Sequence, residues 1–393
     1  MQDFTVFEQG TDRIGTDCIK WDFQAADYGR NGLLPFFIAD SDYPTAPGVT
    51  EALQKRCANG AFGYTDLSDS YYEAVIRWFG KRHGLHIEKE WIVPTTGIVP
   101  SISHAVMLFT DPGAGVVVQP PVYDPFYSVI EANGRTVLCN NLIRENGSYR
   151  MDYADLEDKL KGGAQMVILC SPHNPVGRVW SQEELERLAG LCSEYGAVLV
   201  SDEIHCDLTL GDSVHYSAGR LDQVRDRLVL CLSPSKTFNV AGLCTSNIVI
   251  PNREMREKYQ DWLYKRYMFS PNLMGIVACR AAYETGGDWL DAQLAFLTEN
   301  KNYLLRYFQE RIPSGKVVDA EGTYLMWIDF TELGLTSGQL VTELAARGIA
   351  VNGGNHYGAQ YDGFIRVNIA CPKSQLEQGL AVMEEMAGSL SGN

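Results

Sequence analysis

The sequence predicts an α/β protein: a mostly parallel sheet covered by helices on both faces, followed by a smaller α+β unit. Two observations carry that expectation. From Val137 to Val249, apolar runs of strand length alternate with stretches of helical spacing, the pattern of a parallel sheet whose strands are buried on both sides. Three of those runs end at once in polar residues. Met166–Cys170 is followed by Ser171-Pro172-His173-Asn174, Ala197–Val200 by Ser201-Asp202-Glu203-Ile204-His205, and Leu228–Leu232 by Ser233-Pro234-Ser235-Lys236. Strand ends of this kind are where α/β folds place their chemistry.

The totals bound the rest. A chain of 393 residues is too long for one core. The expected division is an N-terminal arm over residues 1–45, a large unit over 46–285, and a connector helix with a small C-terminal unit over 286–393. A net charge of -16 repels phosphate backbones and anionic membranes, which argues against nucleic acid as a partner. No apolar run approaches the roughly 18 residues of a membrane span. Met1–Gly10 lacks the basic start and apolar centre of a signal peptide, so the cytoplasm is the expected location. The ten cysteines run from Cys18 to Cys371 without a C-x-x-C pair, which reads as buried free thiols. His83-Gly84-Leu85-His86 is the one close histidine pair, and nothing flanks it at ligand spacing. A metal is not expected.

In chain order, Phe36–Pro44 reads as a short strand leading into a turn. Helical spacing follows over Pro47–Ala58, with proline in the first turn, and over Asp69–His83. Trp91–Pro94 is strand-like, and Thr95-Thr96-Gly97-Ile98 opens a helix running to Phe109. Such a start presents free N–H groups and a positive dipole end to an anion; taken alone it is an ordinary helix start. Asp111-Pro112-Gly113-Ala114-Gly115 precedes the strand Val116–Val118 and is therefore no dinucleotide fingerprint. After that strand, Pro120–Phe126 places Tyr123 where an aromatic either lies on a flat ring or fills the core. Further strands are expected at Val137–Cys139 and Ser246–Ile250, with helices over Tyr153–Lys161 and Glu183–Tyr195. Residues 255–312 are helix-rich, with Asp288–Arg311 as one long connector. The small unit then takes strands at Lys316–Val318, Thr323–Phe330 and Gly363–Ala370 and a helix at Ser337–Arg347. The tail Ser389–Asn393 is expected to fray.

Lys236 stands out because a strand end is a costly place for a lysine. Burial or a cationic neighbour lowers its pKa, and the neutral amine can form a Schiff base with an aldehyde. A lysine snorkelling from a turn is the plainer account. Ser233, Ser235 and Gly242 would suit a phosphate nearby.

Asn174, Asp202 and Lys236, taken in order with Asp12–Asp22 near the start and Phe364–Ala370 near the end, resemble the fold-type I enzymes that use pyridoxal 5'-phosphate (PLP). The resemblance spans nearly the whole chain and is closest to the cystathionine β-lyase-like (C-S lyase) branch of the class I/II aminotransferase superfamily. It implies a seven-stranded, mostly parallel sheet and PLP carried on Lys236. It further implies Asp202 at the pyridine nitrogen, Asn174 at the ring oxygen and Tyr123 stacked on the ring. Gly97, Ile98, Ser233 and Ser235 would hold the phosphate, joined across a homodimer interface by Tyr64. Arg366 would clamp the carboxylate of an amino-acid substrate, with Tyr123 and Tyr64 beside it. Two positions depart from many aminotransferases: His205 replaces a tyrosine at the cofactor, and Cys244 replaces a phosphate-binding arginine. Both look like the C-S lyase branch. The implied reaction is elimination of a thiol from L-cystathionine, L-cysteine or an S-substituted cysteine, leaving pyruvate and ammonia. An aminotransferase, and a PLP-binding regulator acting through a partner protein, stay open as alternatives.

Overall fold

The apolar runs become the strands of one sheet in the structure, a computed structural model that describes residues 4–268 and 271–391. In chain order they are β1 (Ile92–Thr95), β2 (Gly115–Val118), β3 (Thr136–Cys139), β4 (Met166–Cys170), β5 (Val198–Asp202), β6 (Leu228–Leu232) and β7 (Ser246–Val249). Across the sheet the order is β1-β7-β6-β5-β4-β2-β3. All neighbours from β6 to β3 are parallel, and β7 alone runs antiparallel to both of its partners. Alternate residues serve opposite faces, as the two-residue period of a strand requires. Val167, Leu169, Leu199 and Leu230 enter one core, while Ile168, Val200, Val229 and Cys231 enter the other. That double burial is why these strands read as continuous apolar runs.

The C-terminal part builds a second, antiparallel sheet from Lys316–Val317, Leu325–Asp329, Phe364–Asn368 and Asn352–Gly353, in that spatial order. Helix Gly287–Arg311, about 37 Å long at 1.5 Å per residue, leads into it. The N-terminal strand Leu34–Pro35 pairs in parallel with Ile349–Ala350, so the chain's beginning is sewn to its end. Among the described residues no helix is long and apolar enough to cross a membrane, and all ten cysteines are free.

Most expected elements appear within one or two residues of their predicted ends, the usual scatter of helix and strand boundaries. Two expectations change, and a hairpin and two short helices appear that the sequence did not announce. The strand expected within Phe36–Pro44 lies earlier, at Leu34–Pro35; residues 36–44 instead form an irregular strap whose peptide groups bond to the side chains of Asn239, in the loop after β6, and of Asn368, on the small sheet. A hairpin, Ile143–Glu145 with Ser148–Arg150, turns at Asn146-Gly147, both with positive φ. Asn-Gly is the standard signal for that turn, but the flanking residues are too polar to announce strands. Lys373–Ser391 is a helix, so Ser389 and Leu390 close an ordered element where fraying was expected; Gly392 and Asn393 lie outside the described residues. Ile19–Asp22 and Ala25–Tyr28 form short helices within the N-terminal arm.

Candidate active site

Strands β4, β5 and β6 are adjacent and parallel, so their carboxyl ends open along one edge. Register puts Asp202 level with Cys170 on one side and Cys231 on the other. Asn174 and Lys236 follow in the flanking loops. The turn carrying Lys236 is closed by Phe238 N–H on Pro234 O (2.9 Å) and by Asn239 at φ 54°. Ser233 braces it: its Oγ accepts the Ser235 N–H (3.1 Å) and lies 2.8 Å from both Ser235 Oγ and Thr245 O.

Lys236 is half-buried, and its Nζ donates to Ala39 O at 2.7 Å. Burial pulls its pKa down to about 8, with Arg366 and Lys20 adding to that effect and Asp40 and Asp202 opposing it. An appreciable share of the amine is therefore neutral near neutral pH. Asp202 is 3% exposed. Its Oδ1 accepts the Ile204 N–H (3.1 Å), and it forms no ion pair among the described residues. Burial pushes its carboxyl up to about 7 against the pull of that N–H and of Lys236.

Asn174 is buried, and its Oδ1 accepts from Arg366 Nη1 (3.4 Å), which leaves its amide N–H₂ as the available donor. Arg366 comes from the facing sheet. It is buried, donates through Nη2 to Phe37 O and to Asn352 Oδ1 (2.7 Å), and lies 5.3 Å from the Tyr357 ring centre. Tyr123 is half-buried, its hydroxyl pushed up to about 12 by burial, with Asp202 and Asp124 nearby adding to the shift. His205 is buried with its ring edge-on to Tyr324 at 5.9 Å. Burial, Lys236 and Arg366 hold it well below the usual imidazole range, so it is neutral. Gly97 caps helix Ile98–Phe109 in an extended conformation and no side chain caps the helix start. Tyr64 stands apart on the irregular segment after Pro47–Ala58, fully exposed.

The structure thus brings Asn174, Asp202, His205, Lys236 and Arg366 together and leaves Tyr64 on the surface. It also adds residues that sequence reasoning missed. Tyr324 OH donates to Ala39 O (3.0 Å), Asn239 holds Ser41 and Tyr43, and Asn368 holds Ile38 and Asp40. Only the positive-φ Asn239 carries a local signal, since asparagine tolerates that conformation. His83, Cys206 and Asp207 bring ligand-type atoms within 4.8 Å of one another. Asp207 is nevertheless engaged by His83 (2.7 Å), by Trp78 Nε1 (3.1 and 3.2 Å) and by Thr237 Oγ1 (2.9 Å). The cluster braces the residue next to Lys236.

Among the described residues, three buried polar atoms at this site have no partner: His205 Nδ1, Ser171 Oγ and Arg366 Nε. With Asp202 they ask for a group that brings a proton donor to a buried carboxylate, an acceptor for Asn174, and an anion for an uncapped helix start. PLP has those features, together with an aldehyde for Lys236.

The family model for aminotransferase class I and II matches residues 35–383. Cystathionine beta-lyase PatB of Bacillus subtilis (strain 168) is 40% identical over 95% of this chain and 97% of its own. Cystalysin from Treponema denticola, whose crystal structure contains PLP, superposes at a TM-score of 0.93 with 31% identity, over 99% of this chain and all of its own. A PLP-bound Clostridium difficile 630 protein, provisionally assigned as an aminotransferase, superposes at 0.95 with 36% identity, over 97% and 99% of the two chains. The chain belongs to the aminotransferase class I and II family, in its cystathionine β-lyase-like branch.

Proposed function

We propose that the protein is a PLP-dependent carbon–sulfur β-lyase, converting L-cystathionine, L-cysteine or an S-substituted cysteine to a thiol, pyruvate and ammonia. The observation that carries this reading is the convergence of Lys236, Asp202, Asn174 and Arg366 on one buried edge in a chain 40% identical to a cystathionine β-lyase. PLP, when bound, supplies the electron sink that makes a Cα–H bond acidic and lets a group leave from Cβ.

The side chains divide the remaining work. Lys236, with its lowered pKa, would hold the cofactor through its neutral amine and would serve as the base for the substrate's Cα proton. Asp202 would keep a proton on the ring nitrogen: the burial that raises its own pKa makes a cationic N–H partner favourable. Asn174 turns its oxygen to Arg366 and would offer its N–H₂ to the cofactor's ring oxygen. Neutral His205 and Tyr123 would line the cofactor ring. The N–H groups at Gly97 and Ile98, with Ser235 braced by Ser233, would hold the phosphate. Arg366 spends Nη2 on Phe37 O and Asn352 and one Nη1 hydrogen on Asn174, and Nε, unpartnered among the described residues, is the donor it would offer the substrate carboxylate. The cofactor-binding unit is residues 46–285; residues 1–45 and 286–393 supply the facing wall.

We further propose a cytoplasmic homodimer. Tyr64 is fully exposed and Phe62 is 60% exposed on the same segment, a placement that suits a tyrosine reaching the phosphate of the partner's site. An aminotransferase remains the second reading, favoured by the Clostridium difficile likeness. The deciding experiment measures pyruvate from cystathionine without any keto acid. A lyase turns over many times. A transaminase stops after about one turnover until keto acid is added.

A further inference from the structure

The segment Asp12–Asp22 has no part in the reaction above, yet two of its cations, Arg13 and Lys20, are committed to carboxylates beside the site. Lys20 is 1% exposed; its Nζ donates to Asp42 Oδ2 (2.7 Å) and to Asp40 O (3.1 Å), and lies 3.3 Å from Asp40 Oδ1. Arg13 forks onto the Asp40 carboxylate at 2.9 and 2.8 Å and adds Ser41 O (3.1 Å) and Asp42 Oδ1 (3.4 Å). Trp21 Nε1 also donates to Asp42, at 3.0 Å. The turn that carries both cations is shaped by Asp22, which accepts the N–H groups of Gly15, Thr16 and Cys18 at 2.9, 3.1 and 3.0 Å. A buried ion pair is weak evidence for stability, because desolvation offsets the attraction. Its use lies in what it fixes.

What it fixes is the strap from Phe37 to Asp42, whose carbonyls meet the site from both sides. Phe37 O accepts from Arg366, and Ala39 O accepts from Lys236 (2.7 Å) and Tyr324 (3.0 Å). Ile38 O and Asp40 O accept from Asn368 Nδ2 at 2.6 and 2.7 Å. Lys236 follows a strand of the large sheet and Arg366 stands on the small one, and carbonyls two residues apart on one backbone span them. We propose that residues 13–22 form a charged clasp: Arg13 and Lys20, positioning residues acting through Asp40 and Asp42, set the spacing of Lys236 and Arg366. They thereby fix how an α-amino acid lies between its amine and carboxylate anchors.

The kinetic part rests on the lyase reading; the structural part does not, and the test separates them. Holoenzyme is prepared as wild type, Lys20→Met, Arg13→Gln and Lys20→Arg, and hydrogen exchange is followed by mass spectrometry alongside turnover of L-cystathionine. In Lys20→Met and Arg13→Gln, exchange over residues 37–42 should quicken about tenfold while the large-sheet strands keep their protection. The same variants should lose about tenfold or more in kcat/KM at unchanged cofactor content, because small misplacements of anchored reactants are costly. Lys20→Arg should recover most of both. Arg13 is partly exposed, so Arg13→Gln keeps the test alive if Lys20→Met fails to fold. Unchanged strap exchange, exchange that quickens equally throughout the chain, or a loosened strap with wild-type kinetics would each overturn the proposal. A wild type that does not turn over cystathionine would count against the lyase reading alone, since the exchange comparison stands without it.

Discussion

Two walls of the candidate site were built in different ways. The first is the carboxyl edge of β4, β5 and β6, where each strand delivers its own functional residue: Asn174, Asp202 and Lys236. The second is the strap 36–44 with Arg366, assembled from residues more than 300 positions apart, as in Arg366 on Phe37 and Asn368 on Ile38. Local backbone geometry aims the first wall, and long-range side-chain bonds aim the second. Substitutions in the first should therefore strike the chemistry, and substitutions in the second should strike substrate placement.

The sharpest test of that contrast is Lys236→Ala. Loss of the group that anchors the cofactor and moves the proton should lower kcat by about 10⁴-fold, the upper end for a general base, and borohydride should no longer fix cofactor to the chain. Retained activity, or a reduced cofactor found on another peptide, would remove Lys236 from the first wall. Asp202→Asn comes next, with a loss of about 10²-fold in kcat, as for other preorganised electrostatic groups. It has an opposite effect on the apoprotein. A carboxyl raised from 3.8 to about 7 by burial adds stability that is complete below about pH 4 and lost as pH rises through 7. Apo Asp202→Asn should thus unfold at higher denaturant than apo wild type at pH 8, by roughly 2–4 kcal/mol. Equal stabilities would mean that Asp202 already has a partner cation.

The same contrast governs what could be read before the structure. Asn174, Asp202 and Lys236 were legible because a strand end is a local event: an apolar run stops, a polar residue follows, and the parallel sheet does the rest. Arg366 was legible only through the motif Phe364–Ala370, and its bonds to Phe37 and Asn352 were not. The strap reads as a strand because Phe36-Phe37-Ile38 has strand composition, while the partners that keep it irregular, Asn239 and Asn368, lie 196 or more residues away. Likewise, the sequence offered His83 beside His86, but the fold pairs His83 with Asp207, 124 positions on.

Arg366→Ala probes the second wall. A fork onto a carboxylate binds ground and transition states alike, so KM should rise while kcat changes less; a charge-assisted bond worth about 1.5–3 kcal/mol corresponds to roughly 10- to 150-fold. Lysine should not rescue it, because a point charge cannot hold Phe37 O, Asn352 and Asn174 and still keep a donor for substrate. A fall in kcat with KM unchanged would move Arg366 across to the chemical wall.

The smallest effect is also the one that weighs the two walls against each other. Capture of PLP by the apoprotein needs the neutral amine of Lys236, so its rate should climb with pH around a midpoint of about 8. Between pH 7 and 8 the neutral fraction of such an amine rises about fivefold. Asp40, on the strap, and Asp202, on β5, both favour the charged amine, and Asp40 has the larger influence. Removing either negative charge must lower the pKa, so Asp40→Asn and Asp202→Asn should both move the midpoint to lower pH. The shift from Asp40→Asn should be the greater of the two. Stopped-flow absorbance on the three apoproteins, from about pH 6.5 to 9.5, measures those midpoints directly. A larger shift from Asp202→Asn would mean that the strand ends set the electrostatics of Lys236 as well as its position, leaving the strap only a geometric part.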